Sequence, residues 1–243
     1  MKALVVGGSN GIGLSIVLAL VSRPNYSYVY VVDRCPFPNE YLHEKIRYYS
    51  VDLAQDYTLS SVLDCPLEDI DALYVTAGFG QLDLFQNLSS QHINNSFKVN
   101  TIAPIQIIRQ FYDRLLSNKS FDCAVMVSVA GRLSSPFFSV YSATKAALSK
   151  FIEAINIELE MQGASNRILD VSPGSLHGTS FNGGKSEPNQ TQKLAIDIID
   201  RSLNNETLFI PQFDEIFRGV IERYQNDPHQ FGIESYIYKQ KRK

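Results

Sequence analysis

Tyr141 and Lys145 stand four residues apart, one turn on a helix, and Ser128 lies thirteen residues before the tyrosine. A phenol is a weak acid, with an ordinary pKa of about 10. A lysine ammonium on the same helix face can stabilise the phenolate, and a serine hydroxyl at a strand's end can hold a carbonyl oxygen against the phenol. Residues so arranged move a proton onto or off an oxygen while a second agent moves a hydride. A tyrosine with a lysine four residues on arises readily by chance in a chain with 13 tyrosines. Tyr41 with Lys45 is a second copy, but Tyr28 rather than a serine precedes it and a strand follows, so it is read as surface. Asn100 is a further candidate. Asparagine is a mediocre helix residue, and one facing a site can bond a main-chain carbonyl and hold a water.

A glycine cluster, Gly7-Gly8-Ser9-Asn10-Gly11-Ile12-Gly13, joins an apolar run to a helical pattern. Glycines there permit a tight turn and let backbone amides at a helix N-terminus approach a pyrophosphate. Asp33 ends the next apolar run, 20 residues beyond Gly13, where it can accept hydrogen bonds from ribose hydroxyls. Its charge repels a 2′-phosphate, whereas the adjacent Arg34 could fork onto one. Asn10 adds no second cation, so NAD is favoured over NADP as cofactor. Asp52, with Leu53 beside it, follows the third apolar run and could reach an adenine edge or cap its own turn. Thr76-Ala77-Gly78 offers small residues where backbone can lie close to a ligand, or a simple turn.

The elements that must position these groups alternate along the chain. Strands are expected at Ala3–Val6, Tyr28–Val32, Lys45–Ser50, Ala72–Thr76, Cys123–Ser128 and Ile168–Ser172, with a weaker one at Leu208–Pro211. Helices are expected at Ile12–Ser22, Ser90–Leu116, Phe138–Met161 and Phe213–Tyr224. Continuous apolar strands separated by helices predict an α/β fold: a doubly wound, Rossmann-like parallel sheet with helices on both faces. Residues 178–192, polar and rich in glycine, read as a mobile substrate loop.

The chain has 243 residues and 44% hydrophobic residues, which fits a single large domain over 1–243. A net charge of −3 gives no reason to expect a nucleic acid partner. The basic tail Lys239, Lys241, Arg242 and Lys243 reads as a solvated terminus. No apolar run approaches the ~18 residues of a membrane span. The run at the start stops after four residues and reads as a strand, not a leader. Three scattered cysteines and four scattered histidines indicate neither a disulfide framework nor a metal site, so a reducing, cytoplasmic setting is expected.

Taken in order, these residues resemble the short-chain dehydrogenase/reductase family in its single-domain form, over roughly residues 1–180. The resemblance places the family's glycine motif at Gly7, Gly11 and Gly13, its strand-four motif at Val75-Thr76-Ala77-Gly78, and its tetrad at Asn100, Ser128, Tyr141 and Lys145. It places Pro173-Gly174 where backbone packs on the nicotinamide. It implies an NAD- or NADP-dependent oxidoreductase acting on a small-molecule carbonyl/alcohol pair. In that scheme Tyr141 moves the proton, Lys145 lowers the tyrosine pKa and bonds the nicotinamide ribose, Ser128 polarises the substrate oxygen and Asn100 anchors a water. Substrate contacts are expected from Gly131–Phe138 and Leu176–Phe181, with Pro136, Phe137, Phe138 and Phe181 as an apolar wall. Pairing of the two long helices implies a homodimer or homotetramer. The alternative, a non-catalytic dinucleotide-binding regulatory or scaffold protein, would be favoured by a lost tetrad member, and none is lost. Three positions depart from the family pattern: Val6 for the threonine before the first glycine, Thr76 for an asparagine, and Gly178-Thr179 where a threonine falls one residue earlier.

Overall fold

The computed structural model describes residues 1–55, 57–179, 181 and 185–241. Its strands are β1 (Lys2–Val6), β2 (Tyr28–Asp33), β3 (Ile46–Ser50), β4 (Ala72–Val75), β5 (Asp122–Met126), β6 (Ile168–Val171) and the short β7 (Leu208–Phe209). They form one sheet in the order β3-β2-β1-β4-β5-β6-β7. Every pairing is parallel, with Val6 opposite both Val32 and Val75, so these carboxyl ends lie side by side. The strand order reverses between β1 and β4, and that is where an open α/β sheet leaves a crevice.

Helices α1 (Gly11–Val21) and α7 (Pro188–Leu203) cover one face. Leu14, Ile16 and Val17 meet Ala195, Ile198 and Ile199 there, over Ala3, Val5, Val31 and Tyr74. Helices α2 (Leu59–Val62), α3 (Ser90–Phe97), α4 (Ala103–Gln110), α5 (Tyr112–Leu116) and α6 (Ser139–Met161) are associated with the other half of the fold. In that second core Ile107, Phe111, Leu148 and Ile152 pack over Leu4, Val6, Leu73 and Val125. Alternate residues of each strand thus serve opposite cores, which is why the strands read as unbroken apolar runs.

The long helix expected over Ser90–Leu116 is three pieces. Between α3 and α4 lies a wide π-type turn, Lys98–Ile102, in which the Ala103 amide donates to the Lys98 carbonyl. Pro104 follows and has no N–H to continue the ladder, so the helix is rewound just where Asn100 sits. Of the apolar residues in this stretch, Ile107, Ile108 and Phe111 are buried in the chain's own core. The expected loop over 178–192 needs correction at its end. Residues 188–192 begin α7, and residues 180 and 182–184 lie outside the described residues. The expected helix at Phe213–Tyr224 is a wide turn, Phe213–Phe217, leading into α8 (Arg218–Asn226). A further helix, α9 (Pro228–Gln240), was not expected. Among the described residues no helix is long and apolar enough to cross a membrane.

Candidate active site

A cavity of about 690 Å³ opens along the carboxyl ends of the strands. At one end β1 runs into the glycine turn. Gly7 has φ +87°, and a Cβ there would stand 2.4 Å from the Ala77 amide nitrogen, so β1 and β4 touch through backbone alone. A Cβ on Gly13 would meet the Gly7 carbonyl oxygen at 2.1 Å. The hydroxyl missing at Val6 is supplied from across the sheet. Thr76 Oγ1 lies 3.0 Å from both the Val6 and Gly7 carbonyl oxygens and donates to that pair, bracing the turn. Asn10 caps α1 through backbone only. Ile12 lines the cavity, and the Gly11 amide donates to Ser186 Oγ at 2.7 Å. Thr179 Cβ is 3.5 Å from where a Gly11 Cβ would be, so it reaches the turn despite its one-residue offset.

Asp33 ends β2 beside this turn. Its carboxylate accepts from the Ser9 and Cys35 amides, both at 3.0 Å, which aims it at the cavity. The exposed Arg34 lines the same rim. Ser9 Oγ is buried and has no partner among the described residues. Asp52 accepts from the Ala54 amide at 2.9 Å, so its carboxylate caps its own turn while Asp52 and Leu53 line the cavity. Ala77, Gly78, Pro173 and Gly174 line it as well. A backbone cradle that any side chain would fill, a helix N-terminus and a strand-end carboxylate together fit a dinucleotide.

Of the proton-moving candidates, Ser128 and Tyr141 line the cavity, and Lys145 and Asn100 are buried beside them. Ser128 follows β5, and its hydroxyl donates to the Pro173 carbonyl at 3.3 Å while accepting from the Ala130 amide at 3.1 Å. Tyr141 lies in the first turn of α6 with the Ser128 hydroxyl near its phenol, its ring 5.0 Å from that of Phe181 and 5.6 Å from that of Phe138. Between β5 and α6, Gly131 lets the loop lie against the helix backbone. A Cβ there would be 2.7 Å from the Lys145 carbonyl carbon. Lys145 is only 2% exposed, with Nζ 5.9 Å from the Tyr141 ring centroid and donating to the Met126 carbonyl at 2.8 Å. Asn100, fully buried, accepts from the Phe79 amide at 2.9 Å, and donates to the Phe79 carbonyl at 2.8 Å and Thr144 Oγ1 at 3.1 Å. It therefore ties the strand-four loop to α6.

Burial dominates the electrostatics of the pair. Burial pushes the Tyr141 phenol up to about 12, and the nearby Ser128 hydroxyl offsets only part of that. Burial pulls Lys145 down to about 8, opposed by the Asp170 carboxylate. The Lys145 ammonium faces the Met126 carbonyl from within the core. Asp170 is itself held by Arg132, Ser149 and Ser172.

Of the expected apolar wall, Phe138 and Phe181 line the cavity; Phe137 is buried instead against Tyr236, its ring 4.9 Å away. The rest of the wall was missed: Phe217, Val220, Phe231, Ser235, Tyr238 and Lys239, from the region of α8 and α9. The Phe217 ring stands 2.2 Å from where a Gly174 Cβ would be. The signal for α9 was Asp227-Pro228, a cap followed by a first-turn proline; Asp227 accepts from the Gln230 amide at 2.9 Å. Lys239, expected in a solvated tail, is turned inward, whereas Lys241 is exposed. Arg242 and Lys243 lie outside the described residues. Tyr41 and Lys45 take no part in the cavity; Lys45 Nζ donates to the Val21 and Arg23 carbonyls at the end of α1.

Known proteins are similar to this chain in sequence and fold. The family model for short chain dehydrogenases matches residues 1–190. An uncharacterized oxidoreductase of Saccharomyces cerevisiae, TDA5, is 29% identical over 201 residues, which cover 80% of this chain and 61% of that protein. An NADPH-dependent 1-acyldihydroxyacetone phosphate reductase of the same yeast is 30% identical, over 72% of this chain and 60% of its own length. The chain thus spans less than two thirds of the length of either relative. A solved short-chain dehydrogenase from Streptomyces avermitilis superposes with a TM-score of 0.74 at 21% identity, over 96% of this chain and 98% of that one. With the family model covering most of its length, the chain belongs to the short-chain dehydrogenase family.

Proposed function

We propose that the chain is an NAD(P)-dependent oxidoreductase that interconverts a carbonyl and a secondary alcohol, with Tyr141 as the proton donor and acceptor. The observation that carries this reading is the placement of Ser128 and Tyr141 together on the wall of the cavity that also holds the glycine turn and Asp33. Held by the Gly7–Gly13 turn, Asp33 and the Ala77-Gly78 and Pro173-Gly174 backbones, a nicotinamide dinucleotide supplies or accepts the hydride. Burial keeps the Tyr141 phenol protonated, so in the reductive direction it is an acid ready to protonate a carbonyl oxygen. Ser128 holds that oxygen against it. In the oxidative direction Tyr141 must lose its proton first, and the buried Lys145 is the nearby group whose charge favours the phenolate. Asn100 positions the start of α6 through Thr144 and holds Phe79 across the mouth.

The same reading assigns NAD(H) as the preferred cofactor. The yeast reductase is named for NADPH, but here Asp33 is fixed by two amides at the rim and its charge opposes a 2′-phosphate. Assembly into a dimer or tetramer rests on Ile102, Ile157 and Met161, exposed by 46%, 59% and 81%. Light scattering at micromolar concentration tests it, a strictly monomeric mass being the contrary result. For the reaction itself the test is Tyr141→Phe. It should leave cofactor affinity within a few-fold and reduce turnover by roughly 10²–10⁴, the range for losing a general acid. Near wild-type turnover on a good substrate would overturn the assignment.

A further inference from the structure

Lys239 lies in the last turn of α9, where a lysine can reach water beside the helix C-terminus at no cost. It does not. Its ammonium turns into the cavity, donating to Ser135 Oγ at 2.6 Å and to the Pro136 carbonyl at 2.9 Å. Both partners are neutral, and among the described residues no carboxylate lies within 4.0 Å of it. An ammonium has three donors, so one remains for another acceptor. Taking a cation partly out of water without a counter-charge is unfavourable, and burial pulls Lys239 down to about 8. It is still protonated at neutral pH, and a bound anion would offset the loss of hydration.

Position says which anion. Nζ stands 5.5 Å from the Phe138 ring centroid, and that ring lies 5.6 Å from the ring of Tyr141. Lys239 therefore faces the part of the cavity next to the proposed proton donor. Arg34 lies at the other end, beside Asp33, and Lys145 is committed to the Met126 carbonyl. Between Lys239 and Tyr141 the wall is apolar, with the Phe138 and Phe181 rings 6.3 Å apart. We propose that Lys239 is the anion receptor of the substrate site, and that the chain acts on carbonyl or alcohol compounds with an apolar body and one carboxylate or phosphate head. This inference rests on the oxidoreductase reading of the same cavity. A purely mechanical role, fastening α9 to the loop before α6, is already filled by the Phe137–Tyr236 ring contact.

The test pairs binding with turnover. By calorimetry the intact protein should bind octanoate at least about tenfold more tightly than octanamide, its neutral counterpart. Lys239→Met should bring the two affinities together, and Lys239→Arg should restore the preference. Equal affinities in the wild type, or a preference that survives in Lys239→Met, would overturn the proposal. Circular dichroism melts of both variants show whether they are folded, and the arginine variant keeps the question answerable if the methionine one is not. Turnover of a keto-octanoate, its methyl ester and the corresponding keto-octyl phosphate then separates the head groups. Higher kcat/KM for either anion than for the ester, expressed through KM, supports the proposal and names the head. Turnover of all three without preference overturns it and leaves the oxidoreductase reading intact. Octanoate preference without turnover of any ketone supports the receptor and removes the oxidoreductase reading instead.

Discussion

Replacing Lys145 by methionine should change how stability depends on pH, and the direction follows from burial. The group's pKa falls from 10.5 to about 8 on folding. Between those values the unfolded chain holds the proton and the folded chain does not. Stability rises with pH wherever the unfolded state binds more protons, so this lysine makes the folded wild type progressively more stable above pH 8. Each unit is worth about 1.36 kcal/mol, so by pH 9.5 the wild type should have gained about 2 kcal/mol relative to Lys145→Met. Below pH 8 the lysine is charged in both states and the difference is constant. Lys239 and Tyr141 also titrate abnormally, but they are present in both proteins and cancel. The chain has no tryptophan, so urea unfolding is best followed by far-ultraviolet circular dichroism, at pH 7 and pH 9.5. A stability difference between the two proteins that stays within about 0.5 kcal/mol across that range would refute the reasoning.

Asp33→Ala removes the acceptor for two amides and the charge at the rim, so NAD(H) affinity should fall and NADP(H) affinity rise in fluorescence titrations. A wild type binding NADP(H) at least about tenfold more tightly than NAD(H), a gap of about 1.4 kcal/mol, would show that Arg34 dominates. Thr76→Val removes the hydroxyl donated to the Gly7 carbonyl, while the Val6 carbonyl keeps the Thr76 and Ala77 amides, and should cost about 1 kcal/mol in denaturant unfolding, with a raised cofactor KM. An unchanged midpoint would mean the turn needs no brace. Gly131→Ala must push the loop off α6, at about 1–3 kcal/mol, and should lower kcat by moving Ser128 relative to Tyr141. Unchanged melting temperature and rate together would show that the loop yields freely.

The sheet was legible because its strands are buried on both faces and therefore continuous in apolar residues, and each has its counterpart near the expected place. The clustering of Ser128, Tyr141, Lys145 and Asn100 was legible from spacing and resemblance together. What was not read lies beyond Pro173-Gly174. Helix α7 buries Thr191, Ala195, Ile198, Ile199 and Ser202 on one stripe, but two of those five are hydroxyl residues and its start looks like loop. Helix α9 buries no residue fully, so no apolar stripe announced it, and a lysine near a basic terminus has nothing in its spacing to show that it turns inward. The break at Lys98–Ile102 was signalled by Pro104, but a proline marks where a helix changes without saying that it widens instead of ending.

The brace at the glycine turn has a bearing on how relatives of this chain are compared. The Gly7 carbonyl takes the Thr76 hydroxyl, which also lies 3.0 Å from the Val6 carbonyl, and Val6 stands opposite Val75, the neighbour of Thr76. The demand thus belongs to the space between two adjacent strand ends and not to either position. In this chain the hydroxyl comes from the end of β4, so the brace is read from the space it fills and not from position 6. A position-by-position comparison records a missing hydroxyl at Val6, although the turn has one.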